Sequence, residues 1–295
     1  MSTAIAAEPA AAAPSSAVTV KNVTFGRLLR SEWIKLWSLR STWWTLASTA
    51  VVLIVGAVGF SALIYFITKE AGAEELGMMG LSGPGALVWG YPVASLVVAV
   101  LGCMVITGEY GTGMIRSTFA SAPRRLDAFA AKGVVLALVA ASLTTLSLAI
   151  AWAVTLPLLP EAAAVDLTDG ADLRVLYGTV MYVTLLALIA YGLGALIRHT
   201  AGAIFTVAAI FLVLPTVFNV ALIGASRYEW IGTIYKFLPD VAGSQITSAG
   251  PSQAAMLAEF AGVEMLDPWV GIGVLALYTA AVLTAGAVRL KRSDP

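Results

Sequence analysis

Six long runs of apolar residues, separated by more polar segments, dominate the chain. A hydrocarbon core about 30 Å thick needs roughly 20 helical residues, because each residue rises about 1.5 Å and lipid cannot bond free backbone groups. None of the six runs contains Asp, Glu, Lys, Arg or His. The pattern predicts an all-α membrane protein with six transmembrane helices at residues 43–67, 86–107, 133–156, 175–197, 201–224 and 269–288.

A different pattern precedes the first run, between residues 23 and 41. Apolar side chains recur there at intervals of three and four, including Trp33 and Trp37, while Arg27 and Arg30 fall on the opposite face. A helix divided in this way can lie in the membrane interface, with its indoles at the acyl boundary and its arginines near lipid phosphate. We predict an amphipathic interfacial helix here; the alternative is a plain charged flank that orients the first span.

Composition supports a membrane location, since 59% of the residues are hydrophobic, 12% are charged and the mean hydropathy is +0.90. Residues 1–22 are rich in Ala and Pro, lack the hydrophobic middle of a signal peptide and predict a disordered tail. The single cysteine, Cys103, predicts a small packing residue, and the single histidine, His199, predicts the cap of a helix turn. Neither predicts a metal site. The membrane domain is expected at residues 42–290 and a short tail at residues 291–295.

Basic residues fall mainly on one side of the predicted spans. That side holds 13 of the 17 Lys and Arg residues, which are Lys21, Arg27, Arg30, Lys35, Arg40, Arg116, Arg124, Arg125, Lys132, Arg198, Arg289, Lys291 and Arg292. Because Lys and Arg are retained in the cytoplasm, this side is predicted to be cytoplasmic. We therefore expect a multi-pass protein of the cell membrane with both chain ends in the cytoplasm.

The second cytoplasmic segment, residues 108–132, is longer than a turn and mixes charged with apolar residues. Glu109 stands at the membrane exit, the run from 110 to 119 can form a short helix, and Ser121 before Pro123 can begin another. Short helices in such a segment favour a docking surface. A solvated connector held inside by its arginines is the alternative.

The six runs also limit what could cross the membrane. Ion relays use ionisable groups inside the membrane, and these runs contain none, so the composition favours a hydrophobic or amphipathic solute. In the fifth run, Pro215 frees a backbone carbonyl and should kink the helix, with Phe218 and Asn219 in the next turn. These residues are candidates for the transport pathway or a dimer interface. For Asn219, a hydrogen bond to a neighbouring helix of the same chain is the commoner case.

The segments SEWIKLWSLRSTWW, before the first run, and GEYGTGMIRSTFASAPRR, before the third, resemble the type 2 permeases of ATP-binding cassette (ABC) transporters. The resemblance is strongest between residues 25 and 133, and the last third matches in topology only. It implies that residues 23–41 form the elbow helix. It also implies that the 108–132 segment docks on a separate ATPase through Glu109, Tyr110, Thr112, Arg116, Thr118, Arg124 and Arg125.

The resemblance implies an exporter permease that pairs with a second permease copy or a paralogue, with ATP and Mg²⁺ bound by the partner ATPase. The chain itself has no GxxxxGK[ST] phosphate loop, so neither catalysis nor a cofactor is expected in it, and no nucleic-acid partner is expected. The alternative function is a membrane scaffold or sensor within an ABC-like complex that carries no bulk flux.

The largest segment on the other side joins the last two runs, from Ala225 to Pro268. It is too polar to cross the membrane, although residues 229–238 and 253–266 have helical patterning. The family resemblance implies short helices that re-enter the outer leaflet and cover the pathway. An external loop with surface helices remains the alternative.

Overall fold

The computed structural model describes residues 24–72, 74, 76, 79–114, 125–224, 229–250, 253–260 and 262–292. The predicted tail at residues 1–22 lies outside these ranges. The α-helices are α1 (Phe25–Ser38), α2 (Arg40–Ala71), α3 (Gly83–Val88), α4 (Tyr91–Thr112), α5 (Arg125–Thr155), α6 (Gly170–Ile197), α7 (Thr200–Ala208), α8 (Leu214–Gly224), α9 (Glu229–Phe237), α10 (Pro239–Ser244), α11 (Gln253–Phe260) and α12 (Pro268–Arg292).

Within the described part of the chain, six helical segments are long and apolar enough to cross a membrane. They are Arg40–Glu70, Gly83–Thr112, Arg125–Thr155, Gly170–Ile197, Thr200–Leu222 and Pro268–Arg292. Each coincides with one of the six apolar runs, so the prediction of a multi-pass, all-α membrane protein is confirmed. Helix α1 also forms where an amphipathic helix was predicted. Its location in the membrane interface stays a prediction.

The spans alternate in direction, so α1 and the end of α12 lie at the same end of the bundle. We call this the basal end; α4 ends there and α5 begins there. The opposite, distal end carries α3 and the helices α9 to α11. The basal end is the one that the charge pattern predicts to be cytoplasmic.

The fourth span, α6, occupies the centre of the bundle and packs against α4, α5, α7 and α12. Small residues permit these close contacts. A side chain at Gly192 would meet Val282 and Leu283 of α12, and one at Gly102 of α4 would meet the backbone carbonyl of Ala187. Cys103 is fully buried in the same core, as predicted for a packing residue.

Two helices extend beyond the predicted spans at the basal end. Helix α5 begins at Arg125, within the segment assigned to the cytoplasmic loop, and α12 continues through Arg292 into the predicted tail. The first turns of α5 carry the charged residues Asp127 and Lys132, and for this reason the third apolar run begins only at residue 133. These turns are nevertheless helical because Phe129 and its neighbours are buried against α1 and the bundle. Packing, rather than hydropathy, determines where α5 starts.

The second and fifth spans are each interrupted. A break at Trp89 and Gly90 separates α3 from α4, and it falls just before Pro92, whose nitrogen cannot donate to the carbonyl of Val88. In the fifth span, a π-helical segment, Ala209–Val213, lies immediately before Pro215. This widened turn lies next to Pro215, which cannot bond the carbonyl four residues earlier and was predicted to kink the helix. His199 accepts a hydrogen bond from the Gly202 amide at 3.2 Å and caps α7, as predicted.

The distal segment folds back into the bundle. Helix α9 matches the predicted helical pattern, and α11 covers the first part of the second pattern. Helix α10 and the following 3₁₀ turn, Gln245–Thr247, pack between α6 and α12, where Ile246 lies directly against Gly178. Gly178 is eight residues inside α6, a depth of about 12 Å at 1.5 Å per residue. The segment is therefore packed into the distal end of the bundle, and its re-entry into the membrane stays a prediction.

We expect Gly102→Ala to destabilise the protein, because the added methyl would press on the Ala187 carbonyl of the packed α6 helix. Overpacking of this kind costs about 1–3 kcal/mol. Gly59→Ala is the matched control, since Gly59 is an exposed helical glycine of α2 with open space around it. Thermal unfolding in detergent should show a lower midpoint for Gly102→Ala only. Equal midpoints for the two variants would contradict the close α4–α6 contact.

Candidate functional site

Four charged side chains meet inside the basal end of the bundle. Lys132 of α5 donates hydrogen bonds to Glu32 Oε2 of α1 at 2.6 Å and to Glu109 Oε1 of α4 at 2.7 Å. Lys35 of α1 lies 2.7 Å from Glu32 Oε1 and 3.5 Å from Glu109 Oε1. We call these four residues the basal ion cluster. It joins three helices that are far apart in the sequence.

The cluster is largely shielded from solvent. The side chains of Glu32, Glu109 and Lys132 are exposed by only 4%, 9% and 8%, while that of Lys35 is 35% exposed. Two carboxylates and two amines balance in charge, which limits the cost of taking them out of water. Burial acts to lower the pKa of Lys35. The hydrogen bond to Glu32 and the negative charges of Glu32 and Glu109 together outweigh burial, so the pKa of Lys35 is raised.

The helical register of α1 explains why Glu32 points inward. It is three residues from Leu29 and four from Leu36, so it shares their face, and Leu36 is buried against the bundle. The sequence signal that could have identified Glu32 was its position, as an acidic residue, on the apolar face of a predicted amphipathic helix. Sequence reasoning missed Glu32, Lys35 and Lys132 as site residues, since it weighed the charges of each segment separately.

The structure divides the predicted docking residues into separate environments. Glu109 is buried in the basal ion cluster, whereas Thr112, one turn later, is exposed and donates to the Gly108 carbonyl at 2.9 Å. Tyr110 is half-buried, with the Arg198 guanidinium 5.2 Å from its ring centroid. Arg125 is partly buried at the start of α5. The remaining docking candidates, Arg116, Thr118 and Arg124, lie outside the described residues.

Helix α1 presents its predicted polar face to the outside. Arg27 and Arg30 are exposed, and Trp33 is 44% exposed on the neighbouring surface. Trp37 turns toward the first span, where its carbonyl accepts a hydrogen bond from the Trp43 indole at 3.1 Å. The Trp37 and Trp43 rings also pack with centroids 4.8 Å apart. This contact fastens the end of α1 to the beginning of α2.

A cavity of about 320 Å³ lies beside the basal ion cluster. Its lining combines the cluster residues with apolar groups of α4, including Leu101 and Met104, and with the start of the first span. Glu109 Oε2 has no hydrogen-bond partner among the described residues. The cluster therefore adjoins open space on one side.

A second cavity, of about 460 Å³, lies at the distal end. It brings Pro215 and Asn219 of the fifth span together with Phe60 of the first span and Asp240 of α10. Asn219 Oδ1 accepts a hydrogen bond from the Tyr235 hydroxyl at 2.6 Å, which is the within-chain bond considered for this amide.

Phe218, the third pathway candidate, packs elsewhere, against the apolar cluster that contains Leu222 and Ile231. Sequence reasoning did not identify Asp240, because it placed that residue in an external loop. The structure instead brings its carboxylate within hydrogen-bonding distance of Tyr182 of α6. The available signal was Pro239 followed by Asp240, which is typical of a helix start.

No protein-family model matches the chain, and no curated protein shows significant similarity to it. Among the described residues, no group of three or more His, Cys, Asp or Glu side chains is arranged to hold a metal ion.

We expect Lys132→Met to destabilise the protein by about 3–5 kcal/mol, because it leaves the Glu32 and Glu109 carboxylates buried without their shared partner. The matched control is Lys35→Met, which removes the same charge from the more exposed position in the cluster and should have a smaller effect. Thermal unfolding in detergent at neutral pH measures the difference. An equal loss of stability for both variants would show that the burial of Lys132 does not increase its contribution to stability.

Proposed function

We propose that the chain is the membrane-spanning permease subunit of an ABC exporter that moves a hydrophobic or amphipathic solute. The proposal combines the family resemblance of residues 25–133 with the six-span fold. Its partners are a cytoplasmic ATPase, which binds ATP and Mg²⁺, and a second permease copy or paralogue. The basal end then faces the cytoplasm of the cell membrane, in agreement with the excess of Lys and Arg there.

The observation that carries the proposal is the basal ion cluster. Glu109 lies one turn before the end of α4, and Lys132 lies two turns after the start of α5, so the two helices that flank the docking segment are joined directly. Glu32 extends the same connection to α1. A force applied to the segment between α4 and α5 is therefore transmitted to the elbow helix. Coupling between ATP hydrolysis and membrane helices needs such a connection.

Within this proposal, Glu109 connects parts of the permease and does not itself contact the ATPase. The docking contacts then fall on exposed Thr112 and on the segment that follows it, including Arg116. Charge reversal at Glu109 would place three amines around a single carboxylate inside the bundle, and would disturb folding as well as coupling. Arg116 is the better position for testing the docking surface.

The first and fifth spans support a dimer of permeases. In the most apolar 18-residue stretch of each of these two spans, only 22% is buried within the chain, compared with 56% for the second and fourth spans. Their outward apolar residues include Val55 and Phe66 of α2 and Phe205 and Val217 of the fifth span. Both lipid and a second permease copy could cover such surfaces, and the resemblance to ABC permeases favours a second copy over part of them.

We expect an ATPase with a phosphate loop to co-purify with the tagged chain from native membranes. Arg116→Glu should reduce its recovery about tenfold or more, because it reverses a charge in the proposed docking segment. Arg292→Glu is the control: it makes the same reversal at an exposed position of the basal end, in α12, and should preserve recovery.

The purified complex should also hydrolyse ATP and transport a lipophilic solute in vesicles. Absence of an ATPase from the wild-type preparation would contradict the permease function, and equal recovery with Arg116→Glu would contradict the docking role. ATPase recovery and hydrolysis without any transport would favour the scaffold or sensor alternative.

A further inference from the structure

The distal cavity contains a partly buried acidic group. Asp240 is the sole residue with a side chain charged at neutral pH among the described residues that line this cavity. Its Oδ1 accepts a hydrogen bond from the Tyr182 hydroxyl, and burial raises the pKa of the carboxyl to about 6, although the bond from Tyr182 acts to lower it. The carboxyl is therefore mainly ionised at neutral pH.

This carboxylate has little compensation for its burial. A carboxylate can accept about four hydrogen bonds, whereas Asp240 has one side-chain donor among the described residues, Tyr182. Arg174, a cation of α6, instead donates to the backbone carbonyl of Ser248 at 3.0 Å. A partly buried carboxylate with no counter-charge among the described residues that line the cavity favours the entry of a cation.

The walls of the cavity suit an apolar cation. Phe60 of α2 and Trp89 stack with centroids 4.1 Å apart on one side, and Tyr91 and Tyr235 lie on others. Aromatic faces attract cations, and a cavity of about 460 Å³ falls within the range of small-molecule sites. Burial first, and then the negative charge of Asp240, raise the pKa of Tyr235 to about 12, so this hydroxyl remains a neutral hydrogen-bond donor.

We propose that the distal cavity binds an amphipathic organic cation, with Asp240 as the counter-charge and the aromatic walls holding the apolar part. The proposal rests on the permease function, because it identifies the class of solute that the exporter carries. The first and fifth spans both line the cavity, the first through Phe60 and the fifth through Pro215 and Asn219. Of the two roles considered for Pro215 and Asn219, this position favours the pathway over the dimer interface.

The site should depend on pH in one direction. The titratable groups that interact with Asp240 are Tyr91 of α4, Tyr182 of α6 and Tyr235 of α9. A tyrosine hydroxyl, with an ordinary pKa of about 10, is protonated at and below neutral pH. The change between about pH 7.5 and pH 5.0 therefore comes from Asp240 itself. Cation binding should be present at the higher pH and lost at the lower one, as the carboxylate is protonated.

Tetraphenylphosphonium and tetraphenylborate are suitable probes, because they share size and shape and differ in the sign of their charge. Binding to the purified full-length chain in nanodiscs is measured by equilibrium dialysis at pH 7.5. Asp240→Asn retains an oxygen that can accept the Tyr182 hydrogen bond but removes the charge. Glu264→Gln is the matched control, since it removes an exposed acidic charge from the distal segment.

We expect saturable binding of the phosphonium, weakened about tenfold or more by Asp240→Asn and changed less than about twofold by Glu264→Gln. The borate should bind the wild type more weakly than the phosphonium does. Absence of saturable phosphonium binding, equal affinity for both probes, or unchanged binding in Asp240→Asn would overturn the cation site. Since the ATPase is absent from this assay, such a failure leaves the ATPase recovery test unaffected. Loss of ATPase recovery with intact probe binding would contradict the permease function alone.

Discussion

The bridge from Lys132 to two carboxylates is the interaction on which the basal end depends. Its amine is buried and lies 2.6 Å from Glu32 and 2.7 Å from Glu109. Charges in such surroundings must stay paired, so α1, α4 and α5 are held in one arrangement. A helix before the first span could otherwise lie loosely on the lipid. Here it is fixed to the same residues that fix the two flanks of the docking segment.

The same constraint gives the two ends of the bundle different properties. At the basal end, opposite charges are matched within the chain and adjoin a mostly apolar cavity. At the distal end, Asp240 has a hydroxyl partner but no cation opposite it among the described lining residues. Between them, α6 is packed tightly through glycines such as Gly192. Balanced charge is suited to transmitting a movement, and unbalanced charge to holding a ligand.

The fold was predictable where one physical property decides the outcome. Hydropathy alone located the six spans, because lipid tolerates neither charges nor free backbone groups over that length. Pro215 indicated an irregularity in the fifth span, where a π-helical turn is found, and His199 predicted a helix cap. The site was less predictable, because it depends on contacts across long separations. Glu32 and Lys132 are 100 positions apart, and neither residue alone indicates its partner.

The start of α5 and the packing of Asp240 were not predicted, for a related reason. Both lie in segments that are polar in sequence but packed in the structure. Helix α5 gains two turns from burial against α1, and α10 gains its place from the glycines of α6 and α12. Local composition describes the average environment of a segment. It cannot report that one charged side chain in the segment has a partner inside the bundle.

The most direct test of the account is whether α1 and the end of α4 move as one unit through Lys132. Spin labels can be attached by Arg30→Cys and Thr112→Cys, since both positions are exposed and the native Cys103 is buried. Pulsed electron–electron double resonance then measures the distance between the two labels. The account predicts one narrow distance distribution with Lys132 present, and a clearly broader one with Lys132→Met. Distributions of equal width would contradict it.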